Sequence, residues 1–292
     1  HILCAASLSY FVKDSAELNP RRIGLAFHEG FPFVRSAVAE VISLSGRKAN
    51  DIRLNFDLLR KETNLGRNYA KAMPRYCQCA GLLDHKNELT TLGRRLYECD
   101  RHLERPETLW LCHYNLAAPE GPGPQFWHVF VGQRLLVGDI LKTMNLGEVL
   151  KRYCEESGNP IVERTAVTAA SVFLGTYSRP DCLGGLGILE AQQDAGTYLV
   201  KEIESPPPLV FALAVANYWK RNLNDQRSVW IDEFNKAGGP AQVLLMGRGQ
   251  VNHAMRELSS MGLATVQLNQ APYQFSPLWR DSDELLYRIY DK

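Results

Sequence analysis

No apolar run in this 292-residue sequence approaches the roughly 18 residues that a membrane-spanning helix needs, so no membrane-spanning role is expected. The first twelve residues, HILCAASLSYFV, are apolar. They lack a basic start and a clear cleavage site, and they read as an opening strand or helix rather than a signal peptide. Paired cysteine spacing is also missing. The seven cysteines are an odd number without a repeated CxxC. Cys77 and Cys79 fall on one helix and point apart, so reduced thiols in a cytoplasmic protein are expected in place of disulfides or a zinc site. The Gly-rich DCLGGLGIL over 181–189 is followed by no Lys-Ser/Thr and shows no GxGxxG, which excludes the usual phosphate loops; no organic cofactor is expected. DEK-like, HNH-like and GIY-YIG-like nuclease spacings are absent as well.

What is present is ordinary globular composition, 45% hydrophobic and 22% charged, enough for two or three packed units. The net charge of +1 says little, but its distribution is uneven. Residues 1–117 hold 17 basic and 13 acidic side chains, residues 118–205 hold 7 and 11, and residues 206–292 hold 9 and 8. A local positive excess is what a nucleic-acid contact requires, because only the face near phosphate needs cations. The excess peaks between Arg47 and Arg75, with eight Lys or Arg against three acids.

That stretch carries a helix–turn–helix pattern. Asn50 or Asp51 can cap a helix with Ile52, Phe56 and Leu59. A turn follows at Thr63-Asn64-Leu65-Gly66. Leu65, Tyr69, Met73, Tyr76 and Ala80 then recur at helical spacing. The opposite face gathers Arg67, Asn68, Lys71, Arg75 and Gln78, donors suited to phosphates and base edges. Pro74 must kink this helix or fall in its first turn. Gly81 ends it, and LLDHKNELTTLG reads as a small hairpin around Asp84–Asn87. Helix, turn, helix and hairpin is the order of a winged helix. Any amphipathic helix shows two faces, and a merely solvated polar face reads the same way.

Elsewhere, Val34–Ser45 reads as a helix with Ala37, Val38, Val41 and Ile42 inward, ended by Gly46. RPETLWLCHYNLA over 105–117 reads as a buried helix. Pro119–Pro124 and Ser205–Pro208 mark boundaries, giving units 1–117, 118–205 and 206–292. In the middle unit Asn145 caps LGEVLKRYCEES, and VERTAVTAASVFLGTYS follows with Arg164, Thr165 and Thr168 outward. Its acidic surroundings favour a structural copy of the motif. In the last unit a helix over Trp230–Ala237, a turn at Gly247–Gly249 and a helix over Gln250–Met261 precede a wing-like hairpin, LATVQLNQAPYQFSP. Gln250, His253 and Arg256 face out as further DNA contacts. The expected fold class is mainly α with minor β, built from tandem winged-helix or helix-turn-helix units with small β-hairpin wings.

Three stretches carry a resemblance: FHEGF over 27–31, ELTTLGRRLYECD over 88–100 and PETLWLCHYNLA over 106–117. Their order resembles the SspB-like family of bacterial DNA phosphorothioation (Ssp) defence systems, formerly a domain of unknown function. The resemblance is sharp across 24–117, and Pro74 departs from the family's pattern. It implies a DNA-acting subunit that nicks one strand to let sulfur in. The alternatives are a non-catalytic adaptor that delivers the sulfurtransferase and a winged-helix transcription regulator. Implied partners are double-stranded DNA and the sulfurtransferase and ATPase subunits, with a homodimer as a further option.

Nicking would need charge stabilisation at phosphorus, often from a divalent ion such as magnesium or manganese. The best local pair is His28-Glu29, a base and an acidic ligand in a turn, which Arg35 and His113 could join. The same turn reads more readily as structural, with His28 bonded to backbone above Phe27, Phe31 and Phe33. A lone His113 on a buried helix is usually a hydrogen-bonded core residue.

Overall fold

Several helix starts in this chain are set by short polar side chains and prolines. A computed structural model describes residues 24–47, 54–224, 226–267 and 273–291. Asn55 caps a helix over Phe56–Glu62 by accepting from Leu58 N at 2.9 Å. Thr90 accepts from Gly93 N at 3.0 Å and starts Thr91–Cys99. Asp281 accepts from Glu284 N at 2.9 Å and starts Ser282–Tyr290. Each cap satisfies an otherwise unpaired backbone donor. Pro106, Pro208 and Pro240 open three more helices, where a missing N–H costs nothing.

The N-terminal part holds a 3-10 turn at Leu25–His28, α1 (Arg35–Arg47), α2 (Phe56–Glu62), α3 (Arg67–Cys79), α4 (Thr91–Cys99) and α5 (Pro106–Ala117). Next come α6 (Gln125–Arg134), β1 (Ile140–Lys142), α7 (Thr143–Glu156), α8 (Glu163–Ser178), β2 (Leu189–Ala191) and β3 (Thr197–Val200). The last part holds α9 (Pro208–Asn222), β4 (Val229–Trp230), a 3-10 turn at Ile231–Asn235 and α10 (Pro240–Val243). It continues with α11 (Arg248–Ser260), β5 (Ala264–Gln267), β6 (Gln274–Pro277) and α12 (Ser282–Tyr290). The molecule is mainly helical with two small antiparallel sheets, in the orders β1-β3-β2 and β4-β6-β5. In the first, Leu141 faces Tyr198 and Glu190 faces Leu199; in the second, Val229 and Val266 both face Phe275.

Buried side chains from all three stretches form one continuous core. Its polar centre is a directed chain of hydrogen bonds. His113 Nε2 lies 2.7 Å from the Val243 carbonyl, which can only accept, so that nitrogen carries the proton. His113 Nδ1 therefore accepts from Tyr177 Oη at 2.7 Å, and Tyr177 accepts in turn from Trp127 Nε1 at 2.8 Å. One imidazole thus ties α5, α6, α8 and α10 together. The C-terminal α12 returns to the N-terminal part: Arg105 Nη2 donates to the Ile289 carbonyl at 2.8 Å, and Thr108 and Tyr290 share a buried hydrogen bond of 2.8 Å.

Several sequence expectations are corrected. The cap placed at Asn50 or Asp51, and Ile52, lie outside the described residues, as does the opening segment; the described start of α2 is Phe56, whose own side chain is exposed. Gly46 does not end its helix. It sits inside α1, and a Cβ there would come within 2.4 Å of the Tyr97 ring, so the position serves a close approach. α3 runs through Pro74, which is buried and has no N–H to offer the Ala70 carbonyl. The hairpin after α3 shrinks to one bridge, Leu83 to Leu89, because Thr90 caps a new helix at once. Asn145 lies inside α7, which begins at Thr143. Trp230 is in a strand, and a 3-10 turn and the short α10 replace the expected single helix.

Candidate nucleic-acid interface

The local sequence turns α3 outward by its alternation of small buried and long charged residues. Ala70, Met73, Tyr76 and Cys77 are buried, while Arg67, Asn68, Lys71 and Arg75 are exposed on the other side. Two anchors fix this orientation. Tyr76 Oη donates to the Phe31 carbonyl at 2.8 Å, and its ring packs edge-on against Phe27 and Phe33. Arg60 Nη1 donates to the Leu65 carbonyl at 2.6 Å, holding the turn that leads into the helix.

Two hollows flank the exposed face and share Arg75 and Gln78. One, of about 430 Å³, is lined by Gly24, Ala26, Phe27, Glu29, Arg75 and Gln78. The other, of about 320 Å³, lies between α2, α3 and the 83–89 turn, with Leu54, Phe56, Lys71, Pro74 and Asn87 in its walls. Charged donors therefore stand at the rims of partly apolar hollows, a surface that could meet both the phosphates and the base edges of a duplex.

The other candidate residues are distributed differently. Gln78 is half-buried; its Nε2 donates to Asn87 Oδ1 at 2.8 Å, and Asn87 passes the contact on to the Leu54 carbonyl at 3.3 Å. Gln78 thus fixes the turn beside α3 and does not present its amide nitrogen outward. Asn87 adopts a left-handed φ of 63°, which Asn tolerates better than most residues. In sequence Asn87 is marked only by its place in the polar Asp84–Asn87 turn. On α11, His253 and Arg256 are exposed. Gln250 is engaged on both sides: its Oε1 accepts from Gly247 N at 2.8 Å and its Nε2 donates to the Ile203 carbonyl at 3.2 Å, so the outward placement is corrected to a capping role.

His28, Glu29, Arg35 and His113 are not gathered into one site. His28 Nδ1 accepts from Gly30 N at 2.9 Å and closes the turn. Burial lowers its pKa to about 4 against the opposing pull of Glu29, so the ring is neutral near pH 7. Glu29 alone reaches the larger hollow, with a left-handed φ of 48° and a salt bridge of 3.5 Å to Arg75 Nη1. Arg35 donates to the carbonyls of Leu103 at 3.1 Å and Pro180 at 2.6 Å and ties loops together. His113 is fully buried, with both ring nitrogens bonded and a pKa lowered to about 4 by burial. Among the described residues, no group of three or more His, Cys, Asp or Glu side chains could hold a metal ion. No helix among them is long and apolar enough to cross a membrane.

Comparison with known proteins adds the following. Residues 59–274 match a family described as protein of unknown function (DUF4007). Among solved structures, an SspB crystal structure is 17% identical with a TM-score of 0.70, covering 91% of this chain and 87% of that one. A magnesium ion-bound SspB crystal structure is 18% identical with a TM-score of 0.73 and the same coverages. At these identities the likeness is one of fold. No curated protein matches the chain.

Proposed function

From the chain's membership of the DUF4007 family of proteins of unknown function, and from the surface just described, we propose that it is the DNA-binding component of a DNA phosphorothioation system, engaging double-stranded DNA through α3. The observation that carries this reading is the exposed set Arg67, Asn68, Lys71 and Arg75 on one face of α3, with Lys71 and Arg75 lining the adjacent hollows. Topology supports it. The orders α6-β1-α7-α8-β2-β3 and α9-β4-α10-α11-β5-β6, with sheets β1-β3-β2 and β4-β6-β5, are compatible with the winged-helix reading. α3 follows α1 and α2 as α8 and α11 follow their own partners, the place in which this reading puts a recognition helix. The phosphorothioation setting rests on the motifs over 27–31, 88–100 and 106–117 together with the SspB fold. In that setting the sulfurtransferase and ATPase subunits are the partners, and a second copy of the chain is a further option.

Of the two forms this role can take, the adaptor is favoured over the nickase by a specific observation. His113 and Arg35 are committed to internal hydrogen bonds, and the one carboxylate that lines the larger hollow among the described residues is paired with Arg75. Among the described residues no three or more His, Cys, Asp or Glu side chains gather as an all-protein site for magnesium or manganese. The test is fluorescence anisotropy with a short labelled duplex at several salt concentrations. Binding that weakens steeply with salt, and is lost in an Arg67→Ala/Lys71→Ala double variant that keeps its melting temperature, supports the reading. Unchanged binding by that variant refutes α3 as the DNA face.

A further inference from the structure

The exposed cations of α3 are not equivalent. Among the described residues no carboxylate lies within salt-bridge distance of Arg67 or Lys71, whereas Arg75 faces Glu29 at 3.5 Å. Glu29 does not belong to the helix. It is delivered from the end of the Leu25–His28 turn, ahead of α1, in a left-handed conformation, φ 48°, that non-glycine residues adopt at a cost. Three hydrogen bonds hold the turn there: Gly30 N to His28 Nδ1 at 2.9 Å, Phe31 N to the His28 carbonyl at 2.8 Å, and Tyr76 Oη to the Phe31 carbonyl at 2.8 Å. The backbone, anchored to α3 itself, thus keeps a negative charge at the rim of the hollow that Arg75 and Gln78 also line.

The geometry points to Glu29 as a specificity-determining residue that bars phosphate from Arg75 and reserves the guanidinium for a base edge. The reasoning rests on the DNA-binding reading of α3. A phosphate brought to Arg75 would meet the Glu29 carboxylate as a like charge at short range. A guanine edge presents neutral acceptors, O6 and N7, and brings no such repulsion; the neighbouring cytosine N4–H can even donate to a carboxylate. The Glu29–Arg75 pair is exposed and has a single long contact, so it holds Arg75 only loosely and yields to a fork of two hydrogen bonds. Arg67 and Lys71, with no carboxylate within salt-bridge distance among the described residues, are left as the phosphate contacts. One helix face thereby divides positioning from reading, with the division set by a residue 46 positions upstream of Arg75.

The experiment measures affinity for a labelled mixed-sequence duplex against salt concentration, for wild type, Glu29→Gln, Arg75→Ala, the double variant and a distant charge control, Glu148→Gln. Glu29→Gln is expected to bind about five-fold tighter at low salt. Its log–log salt slope should steepen by about 0.9, because Arg75 now takes a phosphate. Arg75→Ala should keep the wild-type slope, and the double variant should match Arg75→Ala. Melting temperatures confirm that each variant is folded. The inference is overturned if Glu29→Gln leaves the slope unchanged while wild type binds, if its gain persists without Arg75, or if Glu148→Gln gains as much. If wild type shows no salt-dependent binding, the DNA-binding reading fails first, and this one with it.

Discussion

Replacing His113 separates what its hydrogen bonds contribute from what its titration contributes. The folded protein holds this imidazole at a pKa of about 4, because burial disfavours the charged ring. An unfolded chain restores it to roughly 6.5. Between these values the unfolded state binds more protons, so stability is complete above the unfolded value and is lost as pH falls through 6.5 toward 4. From pH 7 to pH 5 the loss amounts to about 2 kcal/mol. His28, also lowered to about 4, contributes in the same window and with the same sign. His113→Gln offers one donor and one acceptor at a similar separation, for Val243 and Tyr177, but cannot take up a proton. It should keep much of the stability at pH 7 and lose about 2 kcal/mol less than wild type on going to pH 5. His113→Phe strands the Tyr177 hydroxyl and the Val243 carbonyl at about 1–3 kcal/mol each at pH 7. Urea unfolding followed by tryptophan fluorescence at both pH values measures all three. A His113→Gln variant with the wild-type pH dependence, or a wild type that grows more stable as pH falls from 7 to 5, would refute the reasoning.

Lys71→Ala should weaken binding to every duplex and flatten the salt slope by about one phosphate contact, whereas Asn68→Ala should cost about 1–3 kcal/mol on a preferred sequence only, as binding isotherms on matched and scrambled duplexes would reveal. Gly93→Ala should lower the melting temperature sharply, because its Cβ would stand 1.9 Å from the Leu82 carbonyl oxygen; an unchanged melt would contradict the packing of α4. Supercoiled plasmid incubated with pure protein and magnesium or manganese should stay supercoiled under the adaptor reading. Relaxed circles that disappear in His28→Ala and Glu29→Ala variants that still bind DNA and keep their melting temperature would instead establish nicking.

The sequence makes long periodic helices legible. α3 and α11 follow apolar spacing, and the exposed set 67, 68, 71 and 75 follows from it, while α5 and α9 are legible as runs apolar on most sides. β1, β2 and β3 have three or four residues each, too few for an alternation to register, and they are stabilised by pairing across the unit. Gln78 and Gln250 look in sequence like Asn68, polar residues on an outward face. Their amides are taken by Asn87 and by Gly247 and Ile203, partners that only the folded chain supplies. His113 shows the same limit: its helix is legible, but its two partners lie 64 and 130 residues away.

The return of α12 to the N-terminal part bears on how the chain is made. Arg105 and Thr108 wait for Ile289 and Tyr290, which are 184 and 182 residues further along. At synthesis rates of about 5–20 residues per second that interval is on the order of 10–40 s. During it, the surface of α4 and α5 that α12 covers stays bare on the ribosome, although the helices forming it can fold early. The N-terminal part can therefore gain secondary structure as it emerges but closes its core only when residues 282–291 arrive. Its nascent form is the stage at which a chaperone would have most to cover.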